Sequence, residues 1–295
     1  MKKNLPFITA LAAGLTTFAL LQRQQRRLHA QQWARIRPQK ALITGASAGI
    51  GEVFARALAR RGYDLVLLAR REERLRALAE ELRRTCNIEV EILVADLANP
   101  EDLERAAGQL AQLDDLDLLV NNAGMGVHGR FAEVDTPANL RMIQLNLVAA
   151  VRLARAVLPG MLRRGRGGII NVSSVASFLP TAGNHTYGAT KTYLNFFTRA
   201  LADELAGSGV RVQALCPGYT YTEFHDAMGT GRPKMPAFLW LNAEDVVAAS
   251  LRGLEEGQLM VVPGAIYKLA VVLASIPGLP RLVRVIEGAM RRSVA

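Results

Sequence analysis

The amino-acid sequence predicts an α/β fold: a doubly wound, mostly parallel seven-stranded sheet with helices on both faces. Three observations predict it. From residue 40 onward short apolar runs alternate with longer segments of helical period, the pattern of strands joined by crossover helices. Those runs are almost continuously apolar, as strands covered on both faces must be. No Pro- or Ser-rich linker divides the 295 residues into halves that could each bury a core.

Taken in order, the predicted strands are 41–44, 64–69, 89–94, 116–121, 168–173, 210–216 and 259–262. The clearest helical stretches between them are 71–84, 137–158, 187–205 and 243–256. The expected organisation is a basic, apolar N-terminal segment over 1–37, a catalytic body over 38–262 and an apolar, basic tail over 263–295. In an open parallel sheet the ligand crevice lies beyond the carboxyl ends of the strands, so residues just after each strand are the candidates for function.

After the first strand comes Thr44-Gly45-Ala46-Ser47-Ala48-Gly49-Ile50-Gly51, leading into a helix. Glycines there allow a tight turn and let backbone N–H groups and the helix N-terminus approach a pyrophosphate. Its placement after the first strand of an alternating pattern makes a dinucleotide (Rossmann-type) site the expectation, with Gly45, Ser47, Ala48, Gly49, Ile50 and Gly51 as its cradle. The second strand ends in Arg70-Arg71, where a cation accepts a ribose 2′-phosphate and an acid would grip a 2′-hydroxyl. NADP(H) is therefore expected in preference to NAD(H); the alternative is that both arginines merely open a charged surface helix. After the third strand Asp96, followed by Leu97, stands where it can accept from an adenine amino group, or else cap the helix that begins near Pro100. After the fourth comes Asn121-Asn122-Ala123-Gly124, small enough for backbone to approach a cofactor, or simply a turn.

Tyr187 and Lys191, four residues apart, share one helical face, which brings the ammonium toward the phenol. A tyrosine with an ordinary pKa of about 10 is a poor base at neutral pH, and a neighbouring cation favours its phenolate. Ser174, at the end of the preceding strand, offers a hydroxyl to a substrate oxygen as charge develops on it. A Tyr-x-x-x-Lys pair alone occurs by chance in many helices.

With these residues in order the chain resembles the short-chain dehydrogenase/reductase family, in its compact branch. The resemblance spans roughly 41–262 and rests on the glycine turn, Asn121-Asn122-Ala123-Gly124, Asn146, Ser174 thirteen residues before Tyr187, Lys191, and Pro217-Gly218 followed by Thr222. It implies Tyr187 as general acid/base, Ser174 as the substrate-oxygen partner, Lys191 as pKa modulator and nicotinamide-ribose ligand, and Asn146 as a link in a proton relay. It also implies cofactor contacts from Asn122, Ala123, Gly124, Pro217, Gly218 and Thr222. NADP-using relatives often carry a cation inside the glycine loop where this chain has Ala48, so the cofactor expectation rests on Arg70 and Arg71. Ser173 competes with Ser174 until the resemblance is applied. Thr192, Asn195, His128 and His185 acquire no role.

Beyond Pro217 the chain gathers Tyr219, Tyr221, Phe224, Phe238 and Trp240 with Met228 and Met235, although only 6% of its residues are aromatic. An apolar cover over the site implies a lipophilic ketone, aldehyde or secondary alcohol as substrate, hence a carbonyl reductase of lipid metabolism; packing of the loop on the core or a neighbouring subunit is the alternative. A non-catalytic nucleotide-binding sensor would need the glycine turn but has no use for the Ser174, Tyr187, Lys191 and Asn146 set. Homo-oligomers are common in the family.

The formal charge of +10 lies at the ends. Residues 1–40 carry eight cations and no acid, leaving 28 of the 36 cations against all 26 acids for the rest. The last fifteen residues hold Arg281, Arg284, Arg291 and Arg292 against Glu287. A nearly neutral body without a reader motif argues against nucleic acid and for a membrane surface. The uncharged run 5–21 is at the short limit of a membrane span, and the heavier basic flank after it predicts a catalytic body facing the cytoplasm. A cleaved signal peptide or an interfacial helix is the rival. At the other end 269–276, followed by cations and aliphatics that separate onto two faces, reads as an interfacial helix or as a core-covering one. Cys86 and Cys216 stand far apart in apolar contexts and suggest neither a disulfide nor a metal site.

Overall fold

A computed structural model describes residues 40–224 and 235–276. The apolar run 5–21, Met228 and the arginines from Arg281 onward lie outside the described residues.

Seven strands form one sheet: β1 (Lys40–Thr44), β2 (Asp64–Ala69), β3 (Val90–Val94), β4 (Leu116–Asn121), β5 (Gly167–Val172), β6 (Val210–Leu215) and β7 (Met260–Val261). Their order is β3-β2-β1-β4-β5-β6-β7, and every pairing is parallel. Because β1 lies between β2 and β4, the chain leaves it toward one edge and later returns to the other side. That divergence opens a crevice at the carboxyl ends of β1 and β4.

The helices follow the same alternation: α1 (Gly49–Ala59), α2 (Glu72–Cys86), α3 (Pro100–Leu110), α4 (Thr136–Ile143), α5 (Ala149–Arg164), α6 (His185–Glu204), α7 (Ala243–Glu255) and α8 (Ala265–Ala274). Alternate residues of β1 feed two cores: Ala41 and Ile43 pack with Phe54, Leu58, Leu75 and Val246 of α1, α2 and α7. Leu42 packs with Leu103, Leu153, Val157 and Leu201 of α3, α5 and α6. Such burial on both faces explains why the strands read as apolar runs rather than alternating ones.

Helical structure over 136–164 extends past the expected 137–158 at both ends. Asp135 accepts from the N–H of Ala138 and caps the start. Pro159 sits inside α5 without ending it, and Gly165, at φ 62°, takes the left-handed conformation that does. A π-turn over Gln144–Val148 joins α4 to α5. Among the described residues 136–164 is the one stretch long and apolar enough to cross a membrane, yet its inner face builds the second core.

The tail begins as part of the body. Tyr267 of α8 is buried, donates to the carbonyl of Leu239 and accepts from the N–H of Tyr219 at 3.1 Å. Its ring lies so close to Gly218 that a Cβ there would stand 2.1 Å from Tyr267 Cζ. The opposite side of the helix leaves Leu269 and Val272 largely exposed, at 58% and 61%.

Candidate active site

The glycine turn joins β1 to α1 directly. A Cβ on Gly51 would meet the carbonyl oxygen of Gly45 at 2.3 Å and Asn122 Nδ2 at 2.5 Å, so only glycine lets the turn fold back on itself beside β4. Ala48 stands at the N-cap of α1 and supplies no side-chain cap, which leaves the first-turn N–H groups to an incoming anion. Asn122 Nδ2 donates to the carbonyl of Thr44 at 2.8 Å and ties the Asn121-Asn122-Ala123-Gly124 turn to the end of β1. Thr222 packs over Gly49 from the segment that follows Pro217 and Gly218.

The two arginines after β2 part company. Arg71 turns to the glycine loop, its Nε donating to Ser47 Oγ at 3.1 Å and a terminal nitrogen to the Ser47 carbonyl at 3.3 Å. Arg70 points elsewhere, 4.0 Å from Asp96 Oδ2, with its side chain 65% exposed. Asp96 accepts from the N–H of Ala98 at 3.0 Å and from the guanidinium of Arg141, a residue of α4 that the sequence did not single out. Leu97 is buried beside it in the second core.

Tyr187 and Lys191 stand one turn apart on α6, with the ammonium 5.6 Å from the phenol ring centre. Lys191 Nζ donates to the carbonyl of Val172 at 2.8 Å. Asn146 is held by the π-turn: its Oδ1 accepts from the N–H of Met125 at 3.0 Å, and its Nδ2 donates to the carbonyl of Met125 at 2.9 Å and to Thr190 Oγ1 at 3.2 Å. Gly124 lies between them, since a Cβ there would stand 3.2 Å from Asn146 Oδ1 and 3.6 Å from Lys191 Nζ. Ser174 hydrogen-bonds the Tyr187 phenol and accepts from the N–H of Ala176 at 3.1 Å. Ser173 is turned away, donating to the carbonyl of Lys191 at 3.0 Å, so of the two serines Ser174 is the one that faces the phenol.

The Tyr187 and Lys191 pairing predicts a cation that favours the phenolate, and here burial outweighs it. Desolvation pushes the Tyr187 phenol up to about 12, opposed by the Ser174 hydrogen bond. It pushes the Lys191 ammonium down to about 8, opposed by the Cys216 thiol. Both shifts favour the neutral species, as a low-dielectric site demands.

Residues left without a role in the sequence brace this constellation. Thr192 Oγ1 donates to the carbonyls of Ser177 and Gly188, and Asn195 Nδ2 donates to Ser177 Oγ at 2.7 Å. His185 meets the carbonyl of Gly129 at 3.2 Å, and the ring of His128 fills the space beside Gly183. On the open side Phe224 lies 5.9 Å from Tyr187, while Trp240 lies 5.6 Å from Tyr219 and 5.0 Å from Tyr221, centre to centre.

Comparison with known proteins shows the family. The model of the short chain dehydrogenases matches residues 39–232. The chain belongs to the short-chain dehydrogenase family. It is thereby an oxidoreductase enzyme, and a short-chain dehydrogenase from Sphingobium yanoikuyae, solved in complex with NADPH, superimposes with a TM-score of 0.74 at 36% identity, covering 87% of this chain and 94% of the other. A bulky-bulky ketone specific alcohol dehydrogenase from Comamonas testosteroni gives a TM-score of 0.70 at 32% identity, over 87% and 95% of the two chains. The very-long-chain 3-oxoacyl-CoA reductase of Anas platyrhynchos is 35% identical over 188 residues, which are 62% of this chain but 60% of that longer relative. As a short-chain dehydrogenase the chain binds a nicotinamide dinucleotide, NAD(P), and its donor set fits one: an uncapped helix N-terminus for the pyrophosphate and a buried lysine beside the phenol.

The lowered pKa of Lys191 carries a stability consequence. Between about 8 and the ordinary 10.5 the unfolded chain binds a proton at Lys191 that the folded one does not, which makes stability rise with pH; the Cys216 thiol, pushed up by burial from 9 to about 12, opposes that rise above 9, and the Tyr187 phenol adds to the opposition above 10. Urea unfolding of the cofactor-free protein should therefore show stability increasing from pH 8 to pH 9, and Lys191→Met should abolish that rise. A slope unchanged in the variant would assign it to another group.

Proposed function

We propose that this short-chain dehydrogenase is an NADP(H)-dependent oxidoreductase that interconverts a carbonyl and an alcohol on a lipophilic substrate, with Tyr187 as the general acid/base. One observation carries the reading: a phenol held beside a buried ammonium and a serine hydroxyl, under Phe224, at the carboxyl edge of the sheet. The glycine turn and Lys191 would hold a nicotinamide dinucleotide, which when bound would supply or accept the hydride.

Every other step belongs to the chain. Ser174 donates to the substrate oxygen and holds it within reach of the phenol. In reduction Tyr187 delivers its proton to that oxygen as negative charge grows there; in oxidation the phenolate takes it back. A phenol raised by burial is protonated at neutral pH, which suits it to the reductive direction. Lys191 then offsets the phenolate left behind, at a distance where burial magnifies the attraction. Asn146, fixed through Thr190 and the Met125 backbone, stands beside Lys191 on the side of Gly124, where a relay returning the proton would pass. The rings of Phe224, Tyr219, Tyr221 and Trp240 exclude water and favour an apolar substrate. A ketone-specific relative and a 3-oxoacyl-CoA reductase among the similar proteins are consistent with a bulky carbonyl.

The preference for NADP(H) is assigned to Arg71, because it alone of the pair reaches the glycine loop at Ser47. The membrane assignment rests on the basic ends and on α8, whose exposed Ile266, Leu269, Val272 and Leu273 precede the arginine-rich end of the chain. The heavier basic flank after residue 21 supports a catalytic body on the cytoplasmic side.

Replacement of Tyr187 by Phe should lower turnover of a lipophilic ketone by roughly 10²- to 10⁴-fold, with NADPH affinity little changed. Near-normal turnover of that variant ends the mechanism proposed here. In fluorescence titrations Arg71→Gln should weaken NADPH binding by roughly tenfold, as loss of a charge-assisted contact would, while Arg70→Gln weakens it less. Equal losses, or equal affinity of the parent for NADPH and NADH, would count against Arg71. Removal of residues 1–30 should shift the protein from the membrane toward the soluble fraction while leaving reduction of a small soluble ketone intact. A full-length protein found wholly soluble refutes the membrane assignment.

A further inference from the structure

The strap that leaves β6 passes over the glycine loop, with Thr222 packed against Gly49. Its next residue, Glu223, reaches across to α2. Glu223 Oε2 accepts from a terminal nitrogen of Arg71 at 3.1 Å, and Arg74 Nη1 reaches both carboxylate oxygens at 2.9 Å. The two guanidinium groups hold the Glu223 carboxyl below the usual carboxylate range, Arg74 more than Arg71. Arg71 is at the same time bound to Ser47, in the loop assigned to the pyrophosphate. The carboxylate thus takes up Arg71, the cation assigned to a ribose 2′-phosphate, together with Arg74 one turn further along α2.

We propose that Glu223 is an internal competitor for the cofactor's 2′-phosphate: its carboxylate occupies Arg71 and Arg74 until a phosphate displaces it, and this competition sets how strongly the chain discriminates NADPH from NADH. The proposal rests on the assignment of Arg71 to the 2′-phosphate. With Glu223 in place the arginine pair presents one net positive charge, and without it two. A phosphate monoester carries close to two negative charges at neutral pH and gains from the difference, whereas NADH, with a hydroxyl at that position, does not. All three side chains are about half exposed, so the contest is between partly screened ion pairs and its size is modest.

Glu223→Gln keeps the shape of the side chain and removes the charge. Direct titration of NADPH and NADH should show the variant binding NADPH roughly three- to fivefold more tightly, the scale of one such ion pair, with NADH changed less than twofold. In an Arg71→Gln/Arg74→Gln background the same replacement should leave the NADPH-to-NADH affinity ratio unchanged. An unchanged ratio in the native background, a shift toward NADH, or an equal loss for both cofactors would overturn the proposal and mark Glu223 as a brace for the strap. Failure of the underlying assignment reads differently: the parent protein itself would then show no preference for NADPH, whatever Glu223→Gln does.

Discussion

At the crevice between β1 and β4 a buried hydroxyl, beside the Asn122 amide, joins the two strand ends. Thr44 Oγ1 donates to the carbonyl of Val120 at 3.2 Å and accepts from the N–H groups of Asn122 and Ala123, both at 2.9 Å. The glycine turn leaves from one side of this clasp and the Asn121-Asn122-Ala123-Gly124 turn from the other. Without it the Ala123 N–H would lose its partner, at a cost of roughly 1–3 kcal/mol, whereas the Asn122 N–H keeps the carbonyl of Val120 at 3.0 Å. The clasp sits where the parallel sheet changes direction, so fold topology and site geometry are fixed at one place.

A second set of directional bonds runs across the sheet to the helix that bears the reactive phenol. Asn121 Nδ2 donates to Asn171 Oδ1 at 2.9 Å and Asn171 Nδ2 to Thr198 Oγ1 at 2.9 Å, linking β4, β5 and α6 in one buried line. Apolar packing alone would let α6 roll or slide by fractions of a turn at little cost. Hydrogen bonds inside a low-dielectric core do not tolerate that, because each misplaced polar group stays unsatisfied. The asparagines of β4 and β5 therefore help to fix the helix that carries Tyr187 and Lys191.

Much of this was legible in the sequence, for physical reasons. Strands buried on both faces must be apolar without interruption, so β2 and β4 fall at the residues the pattern predicts, and the others differ by a residue or two where strand edges fray into loops. The spacing of Tyr187 and Lys191 needed only helical period. What stayed hidden depends on contacts between distant segments. Nothing local distinguishes Arg70 from Arg71; their roles separate only because Ser47 and Glu223 approach one of them from elsewhere in the chain. The π-turn that seats Asn146 and the help Asn146 receives from Thr190 have no sequence periodicity of their own. The upward shift of the Tyr187 phenol follows from burial, a property that spacing along α6 cannot reveal.

Gly218 and Tyr267 make a lock and key within one chain, forty-nine positions apart. The ring occupies the volume in which a side chain at 218 would have to sit, and its hydroxyl ties together the backbone at Tyr219 and Leu239. Mutational drift at either position is thus tied to the other: a larger residue at 218 evicts the ring, and a smaller one at 267 leaves a hole beneath the aromatic cluster. For protein engineers the far end of the chain is consequently a poor handle. A fusion or graft that tugs on α8 pulls, through Tyr267, on the backbone at Tyr219 and Leu239 beside the aromatic cluster.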